Sequence, residues 1–188
     1  MKIMSISLKK GDVINLSKGP VIDLIKDSSL KKFDIGLGWD TKCDLDTIAF
    51  LTDSNGVIKD TIYFGDKKKQ GIFLNGDNRT GAGDGDDEII SVTFSELPSW
   101  VTKIQICVNV FSFIFKAKDF SKVQGSYVRL VDKNSGVELC RYNLNENGAG
   151  FNAFHFADLI KTNDEWTFEI IGQGMNGDVG KLRKQLTK

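Results

Sequence analysis

From residue 75 the chain reads Asn75-Gly76-Asp77-Asn78-Arg79-Thr80-Gly81-Ala82-Gly83-Asp84-Gly85-Asp86-Asp87-Glu88. The segment holds five carboxylates, one arginine and four glycines, and no large apolar side chain. Asp84 and Asp86 to Glu88 crowd four acids into five consecutive residues. Their repulsion disfavours a compact loop unless a cation or solvent offsets it. A hard cation meets that need. Calcium takes six to eight oxygens at about 2.3–2.6 Å in flexible geometry. Side-chain oxygens are available from Asp77, Asn78, Thr80, Asp84, Asp86, Asp87 and Glu88, and the glycines let backbone carbonyls turn inward. The absence of His and Cys from the loop argues against zinc or copper. Magnesium fits less well, because it keeps several waters and binds through one or two carboxylates. An EF-hand frame starting at Asp77 puts Arg79 at position three and Ala82 at the sharp-turn glycine, so only Glu88 fits. The competing reading is a solvated acidic loop before a strand at Ile89–Phe94.

A second cluster supports the metal reading. Gly36-Leu37-Gly38-Trp39-Asp40 is followed by Asp44-Leu45-Asp46. Asp44 and Asp46 share a side if the chain is extended, and could supply ligands from a neighbouring loop. The alternative is a polar start to a strand with two solvated aspartates.

The elements that must position these residues read as strands. Period-two alternation recurs at Lys103–Phe111, where Ile104, Ile106, Val108 and Val110 share a face. It recurs at Trp166, Phe168 and Ile170, and at Ile90, Val92 and Phe94. Further strands are expected at Ser5–Leu8, Lys32–Leu37, Asp46–Thr52, Thr61–Phe64, Tyr127–Val131 and Val137–Leu144. The links Asp53-Ser54-Asn55-Gly56 and Asp132-Lys133-Asn134-Ser135-Gly136 carry hairpin turn chemistry. Helical signals are confined to a short stretch at Phe156–Lys161 and a terminal helix at Asp178–Leu186. The expectation is all-β: a β-sandwich of two antiparallel sheets with one or two short helices near the C-terminus, as a single domain over 1–188.

Composition sets outer bounds. The chain has 188 residues, 25 basic and 25 acidic side chains, 40% hydrophobic and 27% charged residues. A formal net charge of zero removes the usual argument for a nucleic-acid binder. Neither a secretory signal nor an apolar run of membrane-spanning length is visible. Cys43, Cys107 and Cys140 form no disulfide framework, and a reducing cytoplasm is the simplest compartment.

Taken together, these motifs resemble the TerD family of tellurium-resistance and stress-response proteins. The likeness rests on Gly36 to Asp40, Asp44 to Asp46, and Gly76 through Glu88. It continues through Tyr127-Val128-Arg129-Leu130-Val131, Arg141-Tyr142-Asn143-Leu144, Glu165-Trp166-Thr167-Phe168 and Gly172-Gln173-Gly174. It covers about Met4 to Leu186. The resemblance implies a calcium-binding β-sandwich with one or two ions held by loops at one end. It implies a bacterial cytoplasmic setting, peripheral to the inner membrane, with other tellurium-resistance or stress proteins as partners. By the same likeness the ligands are Asp77, Asn78, Thr80, Asp84, Asp86, Asp87, Glu88, Asp44 and Asp46. Two departures weaken one ion site: Arg79 stands where a smaller or apolar residue is common, and Ala82 where an acid is common. Phe111-Ser112-Phe113-Ile114-Phe115 also replaces a His-Asp pair of many members.

Other features read more plainly. Gly172-Gln173-Gly174-Met175-Asn176-Gly177 matches GxGxxG, but too little chain follows for a dinucleotide fold, so it reads as a turn into the terminal helix. His155, the single histidine, lacks a GxSxG partner and reads as a packed or hydrogen-bonded side chain. Lys67 to Lys69 read as a solvated turn. The basic terminal helix reads as docked on its own sandwich. Phe111, Phe113 and Phe115 alternate, and are core or, if exposed, the best partner surface. The functional expectation is a calcium-dependent interaction module, without a catalytic constellation. The rival is a metal-dependent enzyme or binder for a nucleotide or phosphate-bearing ligand, drawing on Lys67 to Lys69 and Arg79. A purely structural metal site is the third reading.

Overall fold

The structure is a computed structural model that describes residues 5–6, 14–15, 21–23, 32–40, 43–76, 85–111, 119–144 and 150–187, the first three segments by backbone alone. Its strands in chain order are β1 (Ser5–Ile6), β2 (Ile14–Asn15), β3 (Val21–Asp23), β4 (Lys32–Gly38), β5 (Asp44–Thr52), β6 (Ile58–Ile62) and β7 (Lys68–Lys69). They continue as β8 (Ile72–Gly76), β9 (Glu88–Thr93), β10 (Lys103–Phe111), β11 (Tyr127–Asp132), β12 (Glu138–Asn143), β13 (Ala153–Thr162) and β14 (Glu165–Met175). A terminal helix α1 spans Val179–Leu186.

The strands form two seven-stranded sheets. The first runs β1-β3-β14-β13-β10-β5-β6 and the second β2-β12-β11-β4-β9-β8-β7. Pairing is antiparallel except where β1 meets β3 and β2 meets β12. The apolar positions of both sheets meet in one core. Phe33, Ile35, Ile90, Val92 and Leu130 come from the second sheet, and Ile104, Ile106, Phe156 and Phe168 from the first. The expected β-sandwich is therefore the observed architecture.

The sheets differ in what covers their outer faces. In β11 burial alternates strictly, so the second sheet has a solvated outer face. In β5 and β10 nearly every residue is buried, so the first sheet is covered on both sides. Its outer cover includes α1. Leu182, with Val179 and Leu186, packs on Ile48, Phe50, Ile58, Cys107, Ala153 and Met175. Asp178 caps the helix, its Oδ1 accepting the Lys181 amide at 2.8 Å. The Arg183 guanidinium donates to the Ile58 carbonyl at 2.9 Å, docking the basic helix on its own sandwich.

One expected helix is a strand. Residues 156–161 lie within β13, where the register shifts between His155 and Ala157. The bulge sends Phe154, Phe156, Ala157 and Leu159 all into the core. Alternation is broken there, and the apolar spacing imitates a helix turn.

The helix interface has a direct test. Leu182→Ala leaves a cavity against Phe50 and Cys107 and should cost about 2–5 kcal/mol. Urea denaturation of the variant against the parent chain measures it.

Candidate metal centre

The register of β8 with β9 pairs Gly76 with Glu88, so the acidic segment is the loop of this hairpin. Asp77, Asn78, Thr80 and Asp84 lie outside the described residues, as do Phe113 and Phe115. Asp86, Asp87, Glu88, Asp44 and Asp46 are described.

The returning stem of the loop is fixed by three consecutive acids. Asp86 lies on the outer face of the second sheet, over Gly36, where a Cβ would collide with its carboxylate. Asp87 hooks onto the end of β4. Its amide donates to the Leu37 carbonyl at 2.8 Å, and its Oδ2 accepts the Trp39 amide at 2.9 Å. Glu88 has the parity of Ile90 and Val92, which are core residues. Its buried carboxylate crosses to the first sheet, where Oε2 accepts the Thr47 amide at 2.7 Å. Thr47 adjoins Asp46, so this bond brings both acidic clusters to one end of the sandwich.

The Gly-Leu-Gly-Trp-Asp run now has a physical account. Leu37 is core, and Trp39 is buried with its indole Nε1 donating to the Cys43 carbonyl at 2.9 Å. Gly36 makes room for the Asp86 carboxylate. Gly38 makes room for the Tyr127 ring, since a Cβ there would sit 2.5 Å from the phenol oxygen. The Asp40 amide donates to the Gln124 carbonyl at 3.0 Å, closing this end.

Asp44 and Asp46 face Phe111 and Asn109 across the β5–β10 ladder. They share the side of β5 that carries Ile48 and Phe50. Cys43 beside them is buried, and burial first, then the Asp44 charge, pushes its thiol up to about 11. The local donors are therefore hard oxygens rather than thiolate. Among the described residues no three His, Cys, Asp or Glu side chains converge as a ligand group.

Asp86 is held by partners that the sequence reading missed. Arg129 Nε donates to Asp86 Oδ1 at 2.8 Å and lies 3.0 Å from Oδ2, and the terminal nitrogen Nη2 donates to Oδ2 at 2.9 Å. The Tyr127 hydroxyl lies 3.1 Å from Oδ1 and 2.9 Å from the Gly85 carbonyl. Glu138 receives Arg129 at 3.0 Å and Arg141 at 2.8 Å, and Arg141 stacks over the Tyr127 ring at 3.9 Å. Hydrogen bonds to Asp86 raise the Arg129 guanidinium above its ordinary range. Bonds from Arg141 chiefly hold the Glu138 carboxyl below its ordinary 4.5. Gly36 and Gly38 on one strand face and Tyr127 and Arg129 on the next were the available sequence signal.

The remaining candidates fall elsewhere. His155 Nε2 lies 2.7 Å from Asp158 Oδ1, and Lys103 binds the other Asp158 oxygen, as for a satisfied buried histidine. Gly172 to Met175 lie in β14. Lys69 pairs with Asp66 at 2.7 Å, and Lys67 reaches the Gly76 carbonyl at 3.4 Å. A cleft of about 430 Å³ lined by Thr52, Gln105, Lys103 and Lys161 sits at the far end of β5 from Asp44. Phe111 is 38% exposed and stacks edge-on with Phe64, itself 42% exposed, so it is a surface residue rather than core. Among the described residues no helix is long and apolar enough to cross a membrane.

The TerD domain matches residues 4–186. Tellurium resistance protein TerD of Serratia marcescens is 35% identical over 193 residues, covering 97% of each chain. General stress protein 16U of Bacillus subtilis is 34% identical over 182 residues, covering 90% of this chain and 94% of its own. A solved homologue of telluride resistance protein (TerD) from Streptomyces coelicolor A3(2) has a TM-score of 0.71 at 22% identity, over 82% of this chain and 95% of that chain. The last likeness is one of fold.

Two outcomes test this geometry. Glu88→Ala strips the buried Thr47 amide of its acceptor and should cost about 1–3 kcal/mol, while Glu88→Gln retains an acceptor and costs less. Denaturation of both variants without added metal decides it. For Glu138 the folded pKa is depressed, so its contribution is present above pH 4.5 and is lost as pH falls through the folded value. Glu138→Gln should flatten that part of the pH–stability curve.

Proposed function

The chain belongs to the TerD family, and we propose that it is a calcium-binding interaction module in bacterial stress response and tellurium resistance. The ligands come from Asp77, Asn78, Thr80, Asp84, Asp87 and Glu88 of the hairpin loop, with Asp44 and Asp46 from the start of β5. One observation carries the reading: an acidic loop without His or Cys returns to the sandwich on a stem fixed by the Leu37, Trp39 and Thr47 backbone. Hard oxygen donors in number suit calcium. Bound calcium would supply two positive charges against the formal −4 of the loop, ordering it as a recognition surface.

The relatives carry the names of resistance and stress proteins, which supports a binding module over an enzyme. Partners are other tellurium-resistance or stress proteins, in a cytoplasmic or membrane-associated complex. The exposed Phe111 beside Asp44 and Phe64 offers them an aromatic contact at the metal end.

Calcium at a hundredfold its Kd should raise Tm by roughly 5–10 °C. Asp77→Asn with Asp84→Asn should abolish most of that rise. Titration calorimetry showing no calcium binding at millimolar concentration sinks the metal reading.

A further inference from the structure

We infer that Asp86 is not a calcium ligand but a positioning residue, and that Arg129 governs calcium affinity by clamping it. This rests on the calcium reading above. The sequence pattern alone places Asp86 among the ligands, in line with Asp84, Asp87 and Glu88. The geometry takes it out of that set.

A carboxylate offers about four lone-pair sites. Those of Asp86 face the Arg129 Nε–H, lying between both oxygens, one Nη2–H, and the Tyr127 hydroxyl that also faces the Gly85 carbonyl. Its side chain is 6% exposed, and Gly36 lies directly beneath it. A calcium ion bound to either oxygen would have to displace the guanidinium or sit against it, and like charges at that range repel. The clamp is itself braced: Glu138 holds Arg129, Arg141 holds Glu138, and Arg141 covers Tyr127. This is a fixed frame on the outer face of β11 and β12, beyond the loop.

What the clamp fixes is the last turn of the loop. Tyr127 holds the Gly85 carbonyl, Arg129 holds Asp86, and the next residue, Asp87, is tied to Leu37 and Trp39. The Asp87 and Glu88 carboxylates are thereby aimed before any ion arrives. Partners that orient ligands in this way change metal affinity by about 10–100-fold when removed.

The sign of the effect separates this role from plain electrostatics. Arg129→Gln deletes a positive charge beside a dication site. If Arg129 only repelled or competed with the ion, calcium would bind more tightly to the variant. If it positions the loop, calcium binds about tenfold or more weakly. Asp86→Asn should weaken binding to a similar degree without loss of a site, and the double variant should be no worse than either single one. Arg129→Lys keeps the charge, loses the two-nitrogen fork and should fall between.

Calorimetric titration of these variants with calcium chloride, alongside the parent chain, is the experiment. Tyr127→Phe, which removes only the hydroxyl, serves where Arg129→Gln fails to fold, and should weaken binding severalfold. Unchanged or tighter binding by the Arg129 or Tyr127 variants overturns the clamp. So does loss of one bound ion per chain in Asp86→Asn alone. Absence of binding by the parent chain overturns the calcium reading and the clamp's role in it together, whereas a binding parent with either of the former results overturns the clamp alone.

Discussion

Carboxylate repulsion is the constraint that organises this end of the molecule. Asp86, Asp87 and Glu88 are consecutive, and a strand alternation would leave them crowded beside Asp84. The fold separates them by direction. Asp86 goes to the outer face and a guanidinium, Asp87 along the sheet to the end of β4, and Glu88 inward to a backbone amide of the opposite sheet. Each destination is a hydrogen-bond donor to the carboxylate. The three residues therefore act as three anchors, and the hairpin loop begins and ends on a fixed base.

Those anchors explain why the surrounding strands have the residues they do. A carboxylate can lie on a sheet only where the strand beneath lacks a side chain, hence Gly36, and an aromatic ring can close over the next site only at Gly38. Glu88 can span the sandwich only where a first-sheet amide has no ladder partner. Thr47 qualifies, because β6 begins its pairing with β5 two residues later, at Ala49. The outer face of the second sheet continues the pattern away from the loop. Lys133 binds Asp34 at 2.9 Å and Ser91 at 2.8 Å. The face is polar but internally paired, which suits a surface that braces a loop.

Much of this was legible in the sequence, and the exceptions have particular causes. The strand run Lys103–Phe111 and the terminal helix expected at Asp178–Leu186 match β10 and α1 within a residue of their observed limits. Trp39 and the acidic loop stand out by type and spacing. β13 was hidden because its bulge breaks period two. The short strands β2 and β7 carry too few residues for any period. The Arg129 clamp was hidden for a different reason: its partner lies 43 residues earlier in the chain, and an arginine on a strand face looks like any solvated charge. Glu88 was recognised as an acid of the loop, but its parity with Ile90 and Val92, which points it inward, is informative only once the sheets are stacked.

The thiols bear on how such a protein relates to the element for which its family is named. Direct reduction or capture of a tellurium oxyanion by cysteine needs an accessible thiolate. Cys43, Cys107 and Cys140 are all buried. Burial pushes Cys43 up to about 11 and Cys140 up to about 12, and raises Cys107 as well. Cys43 is 1% exposed, and its carbonyl accepts the Trp39 indole N–H. Cys107 lies under α1, sealed by Leu182 and Phe50. Thiol chemistry is thus suppressed at each position by the same packing that builds the core.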